Sequence, residues 1–266
     1  MNTKTHKGTA LITGASSGIG AVYADRLARR GYDLILVARD LQRLDALATE
    51  LSAKTGRKVT AIKADLTITA DLRAIEERLA SDSSITMLVN NAGLGATKSL
   101  IDSAPADLDA LITLNVLALT RLTRAVAPGL VARGNGIIVN ISSIVAVAPE
   151  LLNGTYGGTK AYVLALTHSL HHEIGAKGVQ VQAVLPGAIS TRFWDRAGLP
   201  IANLPSAIVM TADDLVDAAL AGLDLGEVVT IPSLPDIADW NRHETSRLAL
   251  GPNLSRNTPA ARYAAS

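Results

Sequence analysis

Tyr156 and Lys160 stand four residues apart. A helix advances about 3.6 residues per turn, so the two side chains share one face. A free tyrosine ionises near pH ~10, too high for a good base at neutral pH. An ammonium at ~4 Å, in an effective dielectric of ~20, favours the phenolate by up to ~4 kcal/mol. That is about three pKa units before desolvation opposes it, enough to make Tyr156 a workable proton donor and acceptor. Ser143, at the end of an expected strand, separates this pair from an ordinary amphipathic helix. A second chemical feature is TGASSGIG at 13–20, with Gly14, Gly18 and Gly20. Between a strand and a helix, such a turn offers free backbone N–H groups and a helix dipole to a pyrophosphate. Glycine lets the main chain turn sharply and approach the phosphates closely. The spacing differs from G-x-G-x-x-G.

These residues need a scaffold, and the pattern supplies one. Apolar, β-branched runs at 9–13, 33–38, 59–64, 85–89, 136–142, 179–185 and 227–231 read as strands. Helical spacing occupies 19–30, 41–55, 69–80, 105–111, 113–133, 155–176 and 212–225. DLILVA at 33–38 is a nearly continuous apolar run, the mark of a strand buried on both faces. This alternation predicts an α/β fold, a doubly wound parallel sheet of about seven strands with helices on both faces. No repeat, linker or domain boundary interrupts it, so residues 1–266 read as a single domain with its core at about 8–231. A tail at about 241–266 carries four arginines against one glutamate and is expected to be solvated or to contact another subunit.

Composition narrows the function. Of the 266 residues, 48% are hydrophobic, which allows a large core, and 25 basic side chains nearly cancel 24 acidic ones. No broad field for nucleic acid or a membrane is implied. There is no cysteine, which excludes disulfides, thiolate catalysis and Cys-based zinc sites. His171 and His172 diverge by roughly 100° on a helix and cannot easily chelate together, so no metal site is expected. The start, MNTKTHKGTALITG, lacks a signal-peptide core. No apolar run approaches the ~18 residues of a membrane span. A cytoplasmic protein is the expectation.

Taken together, the chain resembles the short-chain dehydrogenase/reductase family, in its compact branch. The resemblance rests on T-G-x-x-x-G-x-G at 13–20, N-N-A-G at 90–93, Asn115, Ser143, Y-x-x-x-K at 156–160 and P-G-x-x-x-T at 186–191. It covers roughly residues 8–231 and implies a Rossmann-like fold. It also implies that Tyr156 protonates a carbonyl oxygen, that Lys160 holds the nicotinamide ribose, that Ser143 bonds the substrate oxygen and that Asn115 holds a relay water. Ser142 is expected to have a structural hydrogen bond. One departure is Gly157-Gly158, where the family often has Ser-Ala; glycine costs up to ~1 kcal/mol each inside a helix.

The resemblance assigns the cofactor to Gly14, Ser16, Ser17, Gly18, Ile19 and Gly20 in the turn, and to Asp65 and Leu66 after strand three. It adds Asn91, Ala92 and Gly93, then Tyr156 and Lys160, and finally Pro186, Gly187, Ile189 and Thr191. Strand two ends in Ala38-Arg39-Asp40. An acid there would select NAD, whereas a nearby arginine suits the 2′-phosphate of NADP. NADP is therefore expected through Arg39, with Asp40 left as a residue that could bend toward the ribose. The implied function is hydride transfer between NADPH and a small-molecule ketone or aldehyde, or the corresponding alcohol. The competing reading is a non-catalytic NADP-binding sensor on the same fold. The substrate loop should span about 190–211. Its Phe193-Trp194 pair forms either an apolar lid or packing for the loop itself. With Leu94, Val145, Leu151 and Leu152 it suggests an apolar substrate. Relatives assemble as homodimers or homotetramers through helices matching 113–133 and 155–176, and Leu117, Leu119, Ala161 and Ala165 are read as their outer faces.

Overall fold

The computed structural model describes residues 6–263. The first five and last three residues, which carry the extreme ends of the N-terminal segment and the C-terminal tail discussed above, lie outside the described residues.

Seven strands form one parallel sheet in the order β3-β2-β1-β4-β5-β6-β9. They are β1 (Thr9–Thr13), β2 (Asp33–Ala38), β3 (Val59–Lys63), β4 (Ile85–Asn90), β5 (Gly136–Ile141), β6 (Val179–Val184) and β9 (Val229–Thr230). The expected seven-stranded Rossmann-like α/β sheet is present. The apolar run of β2 has the predicted cause. Leu34 and Leu36 enter one core, while Ile35 and Val37 enter the other, because successive side chains leave a strand on opposite faces.

One face is covered by α1 (Gly18–Arg29), α2 (Leu41–Thr55) and α8 (Ala212–Asp224), which bury Leu27, Leu51 and Leu220 there. On the other face lie α3 (Thr69–Ser81), α5 (Leu119–Arg133) and α6 (Gly154–Ile174), with Ile75, Val126 and Leu170 inward. Local signals set where these helices begin. Asp40 caps α2 by accepting from the Arg43 N–H, and Thr211 caps α8 by accepting from the Asp214 N–H. Pro105 opens α4 (Pro105–Ile112), where its missing N–H costs nothing.

Three expectations change. The helices read at 105–111 and 113–133 are one helix, Pro105–Arg133, of 29 residues. A π-helical turn at Thr113–Ala118 carries α4 into α5 without a break. Its most apolar window has a mean hydropathy of 1.4, long and apolar enough by length and composition to cross a membrane. This corrects the reading that no run approaches a span. No glycine or proline stands at Ile112-Thr113, so the two helical runs continue as one, and Arg121 and Arg124 interrupt its apolar stretch. Leu119, Leu122, Val126 and Leu130 of this helix are buried. Leu119 therefore does not belong to an outer face, although Leu117 is exposed.

A short parallel pair, β7 (Ala188–Ile189) with β8 (Val209–Met210), was not foreseen. Between its strands runs α7 (Phe193–Ala197). The chain divides into two compact units, the first ending at Pro232 and the second beginning at Ser233. The second unit holds α9 (Ile237–Ala249), whose first turn is capped by the Asp236 carboxylate on the Ala238 N–H.

Candidate active site

A cleft of about 710 Å³ opens along the carboxyl ends of the strands, the usual ligand position in a doubly wound sheet. The turn after β1 forms its floor. Gly14 and Gly18 take positive φ, 66° and 57°, a backbone region that favours glycine. Space demands glycine as well. A Cβ on Gly14 would lie 2.8 Å from Asn91 Nδ2, and one on Gly18 would lie 3.1 Å from Thr191 Cγ2. Gly20 is buried beneath the turn rather than in the cleft, and its Cβ would meet the Gly14 carbonyl at 2.5 Å.

The turn is held from below. Thr13 Oγ1 accepts from the Asn91 and Ala92 N–H groups, each at 3.0 Å, and Asn91 Nδ2 donates to the Thr13 carbonyl at 2.8 Å. The amide of Asn91 therefore braces the main chain, a role the sequence reading did not assign. Arg39 faces the same cleft and lies 3.8 Å from Asp65. Burial pushes the Asp65 carboxyl up. Hydrogen bonds from Thr67 and the Arg39 charge outweigh this and hold it below the usual carboxylate range. Asp40 points its carboxylate to the Arg43 N–H and guanidinium, at 3.1 Å each, so it is engaged within α2. These residues fit a dinucleotide, with bare N–H groups at one helix start, two glycines where a Cβ would intrude, and a guanidinium beyond strand two.

At the other end of the cleft, Ser143, Tyr156 and Lys160 converge, all buried. Asn153 caps α6, its Oδ1 accepting from the Thr155 and Tyr156 N–H groups at 2.8 and 3.1 Å. Its Nδ2 donates to the Lys98 carbonyl at 2.5 Å. An asparagine just before a helical run was a legible cap signal, yet the sequence reading omitted it. Gly157 is a fitted residue, since a Cβ there would stand 3.2 Å from Pro149. Ser142 Oγ donates to the Lys160 carbonyl at 2.8 Å, a structural bond as expected.

Lys160 Nζ lies 5.8 Å from the Tyr156 ring centroid and donates to the Ile141 carbonyl at 2.9 Å. Burial pulls its pKa down to about 8. Burial pushes the Tyr156 phenol up to about 12, with a hydrogen bond to Ser143 pulling the other way. An ammonium one turn away favours a lower phenol pKa; here desolvation wins, because the ring is almost wholly removed from water.

Asn115 is buried within the π-helical turn, behind the cleft wall. Its Nδ2 donates to the Leu94 carbonyl and to Thr159 Oγ1, and its Oδ1 accepts from the Leu94 N–H. Thr159 Oγ1 in turn donates to the Tyr156 carbonyl at 2.8 Å. The side chain thus clamps the segment after β4 to α6, with both amide hydrogens already given. The remaining wall is mostly apolar, including Leu94, Val145, Leu152, Phe193, Leu199 and Leu204, with Arg192 as a charged neighbour. Among the described residues no cluster of three His, Cys, Asp or Glu side chains could hold a metal.

Comparison with known proteins agrees with this layout. The family model described as short chain dehydrogenase matches residues 8–199. A short-chain dehydrogenase from Sphingobium yanoikuyae, solved in complex with NADPH, is 50% identical with a TM-score of 0.94. The match covers 96% of this chain and 99% of that one. A bulky-bulky ketone specific alcohol dehydrogenase from Comamonas testosteroni is 46% identical with a TM-score of 0.90, covering 98% and 100%. Human 17-beta-hydroxysteroid dehydrogenase type 3 is 36% identical over 219 residues, which are 82% of this chain and 68% of the human protein.

Proposed function

This chain belongs to the short-chain dehydrogenase family and is an NAD(P)-dependent oxidoreductase acting on CH–OH and C=O groups; from that premise we propose that it is an NADPH-dependent reductase of bulky, apolar ketones and aldehydes, able to run in reverse on the alcohols. One observation carries the reading. Tyr156, Lys160 and Ser143 converge at the apolar end of a cleft whose far end presents Arg39.

When bound, the nicotinamide cofactor supplies the hydride. Gly14, Ser16, Ser17, Gly18 and Ile19 hold its pyrophosphate side, while Pro186, Gly187, Ile189 and Thr191 border its carboxamide end. Asp65, Leu66, Ala92 and Gly93 wall the adenosine side. The Ser143 hydroxyl donates to the substrate carbonyl oxygen and fixes its direction. Tyr156 keeps its proton at neutral pH because burial holds its pKa near 12, so it serves as a donor. It gives that proton to the substrate oxygen, which is far more basic once it carries alkoxide charge. The Lys160 ammonium, charged below about pH 8, favours the phenolate left behind and holds the nicotinamide ribose. Asn115 fixes the height of the Leu94 wall through its three side-chain bonds.

The preference for NADPH rests on charge. Arg39 is largely exposed and its planar fork suits a phosphate. Position 38 is alanine, and Asp40 is engaged with Arg43. The Sphingobium relative was solved with NADPH. The bulky apolar substrate rests on the leucine and phenylalanine wall and on the name of the Comamonas relative. Exposed Leu117 and Ala165 fit assembly as a homodimer or homotetramer.

A panel of carbonyl compounds, run with NADPH and NADH in parallel, tests the whole reading. Turnover of aryl ketones with NADPH well above NADH is expected. A preference for charged sugar acids, or equal use of the two nucleotides, would refute the corresponding half.

A further inference from the structure

Phe193 is the only phenylalanine in the chain, and its placement depends on a residue distant in sequence. A Cβ built on Gly95 would lie 2.1 Å from Phe193 Cζ and 2.8 Å from both Cε atoms. No real contact is that short, so the ring tip occupies the space that a side chain at position 95 would fill. The ring centroid stands 6.0 Å from that of Tyr156 and 5.6 Å from that of Trp194, the latter nearly perpendicular at 88°.

The short helix that carries the ring is pinned on both sides. Trp194 Nε1 donates to the Ile189 carbonyl at 2.9 Å, and Thr97 Oγ1 donates to the Ala197 carbonyl at 2.5 Å. Parallel pairing of Ala188–Ile189 with Val209–Met210 fixes where this segment leaves and rejoins the sheet unit. Phe193 is half-buried, with part of its surface on the cleft beside Val145 and Leu152. These bonds hold the helix in place, and the ring's own seat on Gly95 sets the wall of the cleft beside Tyr156.

We propose that Phe193, seated end-on against Gly95, is the specificity-determining wall that fixes how large a second substituent a ketone can carry beside Tyr156. The inference rests on the reductase reading above. It assigns Gly95 a function by subtraction: the missing side chain is the seat that keeps the ring out of the substrate's space.

A double-mutant cycle tests it, with acetophenone and benzophenone as probes. The quantity read is the ratio of kcat/KM for benzophenone to that for acetophenone. Phe193→Ala is expected to raise this ratio roughly tenfold or more, the scale of one pocket group gained or lost. Gly95→Ala should lower it by a similar factor, because the displaced ring moves into the cleft. In the F193A background the same Gly95→Ala change should leave the ratio within about twofold. Phe193→Leu, which keeps most of the bulk, gives an intermediate ratio and carries the test if F193A folds poorly. A second readout needs no turnover. The chain has two tryptophans, so in a W240F background Trp194 reports alone, and G95A should shift its emission only while Phe193 is present.

Equal effects of G95A with and without Phe193, in ratio or emission, would overturn the seat. A wild type that reduces both ketones with a ratio unmoved by F193A would overturn this inference alone. A wild type that reduces neither would overturn the reductase reading and this one with it.

Discussion

At its Arg39 end the cleft is shaped by a glycine-built turn of main chain, and at its Phe193 end by side chains carried on very short elements. The glycine turn hangs between β1 and α1, whose strand is paired on both edges, and Thr13 and Asn91 tie its main chain to the end of β4. Such a turn tolerates little change because its main chain is tied into the sheet's own connectivity. The Phe193 end is built from a five-residue helix and two two-residue strands. Its shape depends on individual contacts, such as Phe193 on Gly95 and Thr97 on Ala197. The difference implies that one end fixes which nucleotide family binds, while the other can be retuned for substrate by single substitutions.

Tyr156 and Lys160, the proposed proton-transfer pair, lie at the Phe193 end of the cleft, and removing their polar groups should have the largest effect. Tyr156→Phe removes one oxygen and leaves the ring packed. Turnover should fall about 10³-fold, within the range for a general acid, with NADPH affinity nearly unchanged by fluorescence titration. A Tyr156→Phe enzyme that kept a tenth of its activity would show that the phenol is not the donor.

Next in size is Lys160→Met, expected to lower kcat by about 10²-fold, and it sharpens the comparison through pH. Burial lowers the Lys160 pKa to about 8. Below that value the amine is charged and favours the phenolate; above it the charge is lost. The wild-type rate of ketone reduction should therefore decline as pH rises through about 8, and K160M should lack that limb. The stability sign is opposite. The fold disfavours the buried ammonium, so the neutral amine's contribution is lost as pH falls through about 8. Matching declines in both proteins would assign the limb elsewhere.

Arg39→Ala probes the backbone-built end where it does rely on a side chain. Losing one charge-assisted contact costs about 1.5–3 kcal/mol, so the NADPH-to-NADH ratio of kcat/KM should drop roughly 10- to 100-fold. The aryl-ketone preference measured at saturating nucleotide should stay the same. A changed ketone preference would mean that the two ends are coupled, contrary to the comparison.

The same contrast explains what could be read from sequence. Gly14, Gly18 and Gly20 were legible because a turn approached by backbone accepts few residue types, and DLILVA was legible because a strand covered on both faces must be apolar. Tyr156 and Lys160 were legible as one helix face. The sign of the balance between them was not, since it depends on how much water the fold removes from the phenol. The π-helical turn around Asn115 left no trace, because Thr113–Ala118 contains no glycine or proline to mark a change of helix geometry. The Phe193 seat was hidden for another reason: a glycine in a loop gives no hint of which distant ring fills its space.

The smallest predicted effect tests whether the two ends share a brace. Asn153 accepts from the first N–H groups of α6 and donates to the Lys98 carbonyl, so it ties the helix carrying Tyr156 to the segment following Gly95. Losing a cap costs about 0.5–2 kcal/mol, so Asn153→Ala should lower Tm by a few degrees and kcat by only a few-fold. Asn153→Asp separates the two roles. It keeps the cap acceptor and loses the donor to Lys98 and Ser103. If the cap alone matters, N153D should recover the wild-type Tm. If the tie matters, Tm should stay low and the benzophenone-to-acetophenone ratio should shift, because the segment that seats Phe193 has lost its anchor to the helix carrying Tyr156.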